Sequence, residues 1–86
     1  MRAREMLNKI KWHPDIDPSG YSIVYLHRGA PDNERKILFK DIMEMCTSDF
    51  MTLDKDGNEM YIPYHRVLRI LDDGNIEIWE KRGIRH

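Results

Sequence analysis

The sequence predicts an α+β fold: an N-terminal amphipathic helix packed on a curled, mainly antiparallel β-sheet that forms a partial barrel. Three observations lead there. Ala3, Met6, Leu7 and Ile10 recur at the spacing of one helical face. The stretches "DKDGN" at 54–58 and "DDGN" at 72–75 carry hairpin-turn chemistry. Short runs rich in Ile, Val, Tyr and Phe flank these turns or precede them.

Size and composition set the frame. The 86 residues suffice for one domain, 1–86, and not for two. At this length folding buries only about 60–65% of the surface of the unfolded chain, so the core is thin. A composition of 41% hydrophobic and 34% charged residues is that of an ordinary folded protein. No apolar run approaches the ~20 residues of a membrane span, and no secretion signal opens the chain, so no membrane partner is expected. The single Cys46 has no internal partner, which favours a reducing, cytoplasmic setting. It reads as a small buried hydrophobe, since no neighbour looks able to activate it.

The first element is a helix over 2–11, with Glu5 and Lys9 as a favourable i, i+4 pair. It stops before "WHPDIDPSG", because Pro14 disfavours helical geometry at His13 and Pro18-Ser19-Gly20 is turn chemistry. "YSIVYLHR" gives a strand near 21–27 that is apolar on both sides, and Gly29 to Asn33 a loop. "RKILF" gives a strand near 35–39, and "KDIMEMC" a short helical turn or irregular connector. Strands near 50–53 and 59–62 form a hairpin with Gly57 at the position needing positive φ. Strands near 65–71 and 76–81 form a second hairpin around Gly74, extending an antiparallel meander over 49–81.

Tyr64, Val67, Leu68 and Leu71 also fit a helical template. The strand is preferred because Asp73-Gly74-Asn75 follows directly. Pro63 then marks an edge or a bulge, since it donates no ladder hydrogen bond. A bulge there would re-aim Tyr64 and His65.

Charge is distributed unevenly. The net charge is −1, which argues against a bulk nucleic-acid binder. Locally, residues 1–13 carry +3, 32–60 carry −4, 61–71 carry +2 and 81–86 carry +3. Folding that gathers the basic segments on one face would suit a small anion or a strand end better than a long duplex.

The chemistry-bearing residues follow from this. His65-Arg66 offers a guanidinium fork and an imidazole for an anion, against the plainer reading of a solvated pair at a sheet rim. Neither HxxxH nor CxxC occurs among His13, His27, His65, His86 and Cys46, so no metal site is expected. No nucleophile sits beside a recognisable base, and the glycine-rich phosphate loops are absent; no catalytic residue and no cofactor are assigned. Trp12, beside His13 after a basic helix, is the candidate to stack on a base, with core packing as its alternative.

Four pieces of sequence, "KWHPDIDPSGYSIVYLHRGAP", "IPYHRVLRI", "DGNIEIWEKR" and the overall length, resemble a small, largely archaeal family named the RNA cyclic group end recognition domain. The resemblance covers most of the chain from Lys11 to Arg82, and the middle segment, 34–60, aligns to no pattern of the family. Its most recognisable parts are IPxHR before an apolar residue and a later Gly-x-hydrophobic-x-hydrophobic-Trp. It implies binding of RNA 3′ ends bearing a 2′,3′-cyclic phosphate, in RNA processing or repair, with RNA termini and RNA-processing proteins as partners.

Carried onto this chain, the motif positions are Trp12, Tyr25, Arg28, His65 and Arg66; His13 and Tyr64 are added by adjacency. The expected pocket has Arg66 or Arg28 as fork, His65, His13 or a tyrosine hydroxyl as donor, and Trp12 or Tyr25 as wall. Two alternatives stay open. One is an enzyme that hydrolyses or forms the cyclic phosphate with paired histidines, for which His13, His65 and Lys36 are the players. The other is a module whose basic face meets an acidic protein.

Overall fold

The structure, a computed structural model, describes residues 2–81. It has one helix, α1 (Ala3–Trp12), and seven strands: β1 (Ser22–Leu26), β2 (Glu34–Leu38), β3 (Ile42–Met45), β4 (Asp49–Leu53), β5 (Glu59–Pro63), β6 (Val67–Leu71) and β7 (Glu77–Glu80). The α+β class read from the sequence is what it shows. The strands are shared between two antiparallel sheets, ordered β2-β1-β6-β7 and β3-β4-β5, which do not close into a barrel.

Helix α1 buries Ala3, Leu7 and Ile10, the face its periodicity marks. Arg2 has no side-chain acceptor to cap the first turn. Its own N–H instead donates to the Glu5 carboxylate at 3.1 Å, and Lys9 and Lys11 sit favourably at the negative end of the helix dipole. His13 leaves the helix in extended geometry (φ −77°, ψ 120°), as a residue before proline must.

Leu7 and Ile10 meet Ile23 and Tyr25 of β1, Val67 and Ile70 of β6, Phe50 and Ile62 from the second sheet, and Tyr64 from the turn after β5, in one core. Four consecutive residues of β1, Ser22 to Tyr25, are buried, so this strand is covered on both faces.

Both hairpin loops work as their composition implies. Asp54 Oδ1 accepts the N–H groups of Asp56 and Asn58, and Asp72 Oδ1 accepts those of Gly74 and Ile76, the same pattern two and four residues on. Gly57 takes φ 82°. In the second loop Asn75, not Gly74, takes the left-handed conformation (φ 63°).

Two expectations fail, and for related reasons. The segment read as a helical turn or connector is a 3-10 turn, Phe39–Asp41, followed by strand β3. The meander expected over 49–81 is interrupted, because β4 and β5 belong to one sheet and β6 and β7 to the other. The chain changes sheets at a second 3-10 turn, Tyr64–Arg66.

The two crossings share one sequence logic, Phe39-Lys40-Asp41-Ile42 and Tyr64-His65-Arg66-Val67. With three residues per turn, one side chain points inward and two outward. The aromatic is buried each time and the polar pair is exposed. Thr52 Oγ1 ties the first corner by donating to the Asp41 carbonyl at 2.9 Å. Pro63 closes β5, an edge strand, so its missing N–H costs no ladder bond. The bulge expected there lies further on: the register of β1 with β6 shifts between Val24 and Tyr25, leaving Leu68 as the extra residue.

Candidate functional site

The corner Tyr64–Arg66 packs beside the first turns of α1. An open hollow of about 1000 Å³ forms there, lined by Arg2, Arg4, Tyr64, His65, Trp79 and Lys81 among others. A smaller one of about 530 Å³ adjoins it, lined by Leu26, His27, Arg28, His65, Arg66 and Lys81. His65 and Lys81 border both.

Each cation arrives by its own route. Arg2 and Arg4 lie at the start of α1. Arg28 lies in the turn after β1, where the Ala30 N–H donates to the His27 carbonyl at 3.2 Å and Gly29 adopts φ 94°, the conformation that a type II turn demands at its third residue. Arg66 is the outward third residue of the corner. Lys81 follows β7; its N–H donates to the Leu68 carbonyl at 2.9 Å, and its ammonium donates to the His65 carbonyl.

The balance is five cationic side chains against one carboxylate, that of Glu5. Among the described residues neither Arg28 nor Arg66 is in an ion pair. Arg2 and Arg4 from one end of the described chain thus meet Lys81 from the other. Arg82, Arg85 and His86 lie outside the described residues.

The other arginine of "IPYHRVLRI" has a structural role. Arg69 makes a two-pronged pair with Glu34 across the sheet and lies 3.9 Å from Glu77. Its fork is occupied.

The candidates read from sequence separate into two groups. Arg28, His65 and Arg66 share the smaller hollow, and Tyr64 and His65 line the larger. Trp12 and His13 line neither; they sit at the far end of α1 from Arg2 and Arg4. Trp12 is 74% exposed, with the Lys11 ammonium 5.2 Å from its ring centre. His13 Nδ1 accepts the Asp15 N–H. Tyr25 is 2% exposed and belongs to the core, edge-on to His27 with ring centres 6.0 Å apart.

Residues that sequence reasoning did not single out are Arg2, Arg4, His27, Trp79 and Lys81. The positive balance of the chain ends was the available signal for three of them. His13, His65 and Lys36 are not gathered: the Lys36 ammonium bonds Asn75 instead. Among the described residues no three His, Cys, Asp or Glu side chains converge as a metal site, and no helix is long and apolar enough to cross a membrane.

Tyr64 is a support rather than a free donor. Its hydroxyl donates to the Cys46 carbonyl at 2.7 Å, and its N–H to the Ser48 carbonyl at 3.2 Å. Burial pushes the phenol above its ordinary value of 10.0, and the nearby Arg4 guanidinium opposes this. A raised folded-state value means that the contribution to stability is complete below the unfolded value near 10 and lost as pH rises through the folded one. Tyr64→Phe is therefore expected to cost about 1 kcal/mol at neutral pH, and to lose less stability than wild type between pH 8 and 11. Urea denaturation at the two pH values reads both.

Cys46 itself is half-buried rather than buried. Desolvation first, then Glu44 and Asp49, pushes its thiol upward, away from a reactive thiolate.

The family model described as the MJ1316 RNA cyclic group end recognition domain matches residues 1–81. The chain belongs to this family. It is 38% identical over 79 residues to a UPF0248 protein of Methanococcus maripaludis, covering 92% of this chain and 96% of the relative. A UPF0248 protein of Methanocaldococcus jannaschii is 38% identical over 79 residues, covering 92% of this chain and 91% of the relative. One of Pyrococcus abyssi is 37% identical over 83 residues, covering 96% and 93%. No solved structure matches the chain. The MJ1316 match spans the whole described corner, the start of α1 and the segment 34–60, so every residue lining the two hollows falls inside it.

Proposed function

We propose that this chain binds RNA 3′ ends closed by a 2′,3′-cyclic phosphate, with Arg28 and Arg66 on the phosphate oxygens, in RNA processing or repair. The observation that carries this reading is the convergence of five cations on two adjoining hollows, among them the Arg28 and Arg66 guanidiniums, which are in no ion pair among the described residues. The name of the family gives the class of ligand. Guanidinium forks suit phosphate oxygens in pairs, and the His65 ring adds a hydrogen-bonding group beside them.

A cyclic phosphate is a diester with one negative charge, whereas a 3′-phosphomonoester carries nearly two at neutral pH. Charge alone favours the latter. Preference for the cyclic end therefore rests on shape and on where the donors point. Titrating matched oligoribonucleotides ending in cyclic phosphate, 3′-phosphate or 3′-hydroxyl at fixed salt is expected to rank the cyclic end first. An end reader touching about two or three phosphates gives a salt slope near −2. Equal weak binding to all three ends, with a steeper slope, would remove the reading.

A second reading has one specific observation in its favour: His27 and His65 border the same hollow. In it one imidazole takes a proton from water as the oxygen attacks phosphorus. The other gives a proton to the departing ribose oxygen, and one P–O bond of the ring breaks to leave a phosphomonoester. Incubating the cyclic-ended RNA separates the two. Unchanged RNA favours binding alone; turnover abolished by His65→Ala favours the enzyme.

A further inference from the structure

Deepening the end-recognition reading and resting on it, we infer that the larger hollow seats the terminal nucleobase, stacked on Trp79, while the smaller hollow holds the phosphate. The two hollows meet along His65 and Lys81, so a phosphate in one and its own base in the other are separated only by that shared border. The larger hollow offers a partly exposed Trp79 as its aromatic wall, with Thr47 and Ser48 as a polar rim and Arg2, Arg4 and Lys81 as cations. The smaller holds Arg28, Arg66 and Lys81 with no tryptophan or tyrosine in its lining.

Trp79 is placed to act as a platform. It lies in β7 opposite Ile70, packs against the core and is half-buried, so its indole is held in place while part of it lines the hollow. A wall that is already ordered loses little side-chain freedom when a ligand stacks on it. Trp12 offers the contrary case: it is mostly exposed and borders neither hollow.

Because every base has a π face, stacking here would add affinity without strong base preference. The ligand class is thus a terminal nucleotide, base and cyclic phosphate together, rather than the phosphate alone.

The protein has two tryptophans, so Trp12→Phe leaves Trp79 as the sole indole reporter. That variant is titrated with an oligoribonucleotide ending in adenosine 2′,3′-cyclic phosphate, and with the same strand whose terminal residue is abasic but keeps the cyclic phosphate. Binding is followed in parallel by anisotropy of a label at the 5′ end. The base-bearing end is expected to quench Trp79 emission in step with binding, and the abasic end to bind about 5- to 100-fold more weakly without quenching. Trp79→Leu should bring the base-bearing end down to the abasic level while keeping the preference for cyclic phosphate over 3′-hydroxyl. Selective binding of the cyclic end with Trp79 emission unchanged and both ends equal in affinity would overturn the inference and leave the end reading standing. Loss of end preference in the wild-type protein would instead sink the end reading, and this inference with it.

Discussion

Replacing Arg66 with alanine is expected to weaken binding of cyclic-phosphate-ended RNA by about ten- to a hundredfold, with little change in folding stability. The magnitude is that of a charge-assisted hydrogen-bonded contact, about 1.5–3 kcal/mol. The stability half follows from its place: Arg66 is exposed on the corner and has no ion pair among the described residues. Arg66→Lys should recover only part of the loss, because an ammonium restores the charge but not the fork. Arg69 is the internal control. Its guanidinium spans to Glu34, so Arg69→Ala should lower stability and leave end preference intact. Anisotropy titrations and urea denaturation of the three variants, side by side, separate these outcomes. An Arg69 effect on end preference as large as that of Arg66 would contradict the assignment.

Phe50→Ala is expected to be the most damaging single change to the fold, costing about 3–5 kcal/mol. Phe50 is completely buried in β4 and reaches the shared core, with its ring centre 5.7 Å from that of Tyr64. A domain of this size has a total stability of only about 4–13 kcal/mol. The substitution therefore removes a large part of it and takes away the floor on which the corner rests. Denaturation midpoints should fall sharply, and RNA affinity should fall with the folded fraction. Phe50→Leu, which keeps most of the volume, should cost much less. The contrast with Arg66→Ala is diagnostic, since that change removes binding from a folded protein.

How much of this was legible in the sequence depends on whether local or distant contacts decide the element. Helix α1 was readable because its buried face and the Pro14 stop are local. The two loops were readable because Asp54 and Asp72 bond their own neighbours. Strand β3 was not. Met43, Glu44 and Met45 have helix-forming side chains, and Met43 is 60% exposed, so only pairing with β4 makes this segment a strand. The corner at 64–66 was misread for a similar reason. Its apolar positions fit both a helix and a strand, and nothing local says that the chain leaves one sheet for another.

The site divides in the same way. Arg28, His65 and Arg66 were named through the family motif, and the turns that follow β1 and β5 bring them to the border of one hollow. Trp12 was expected beside them, but a ten-residue helix holds its ends about 15 Å apart, and packing decides which end meets the corner. It is the Arg2 end. Trp79 was visible within the closing motif, yet the register of β7 on β6 is what brings it to the hollow.

The most direct measurement is a crystal structure of the protein grown with a short oligoribonucleotide ending in 2′,3′-cyclic phosphate. The phosphate oxygens are expected about 2.7–3.2 Å from guanidinium nitrogens of Arg66 or Arg28, inside the hollow bordered by His65 and Lys81. A phosphate lodged beside Trp12 and His13, with Arg28 and Arg66 still in solvent, would contradict the account.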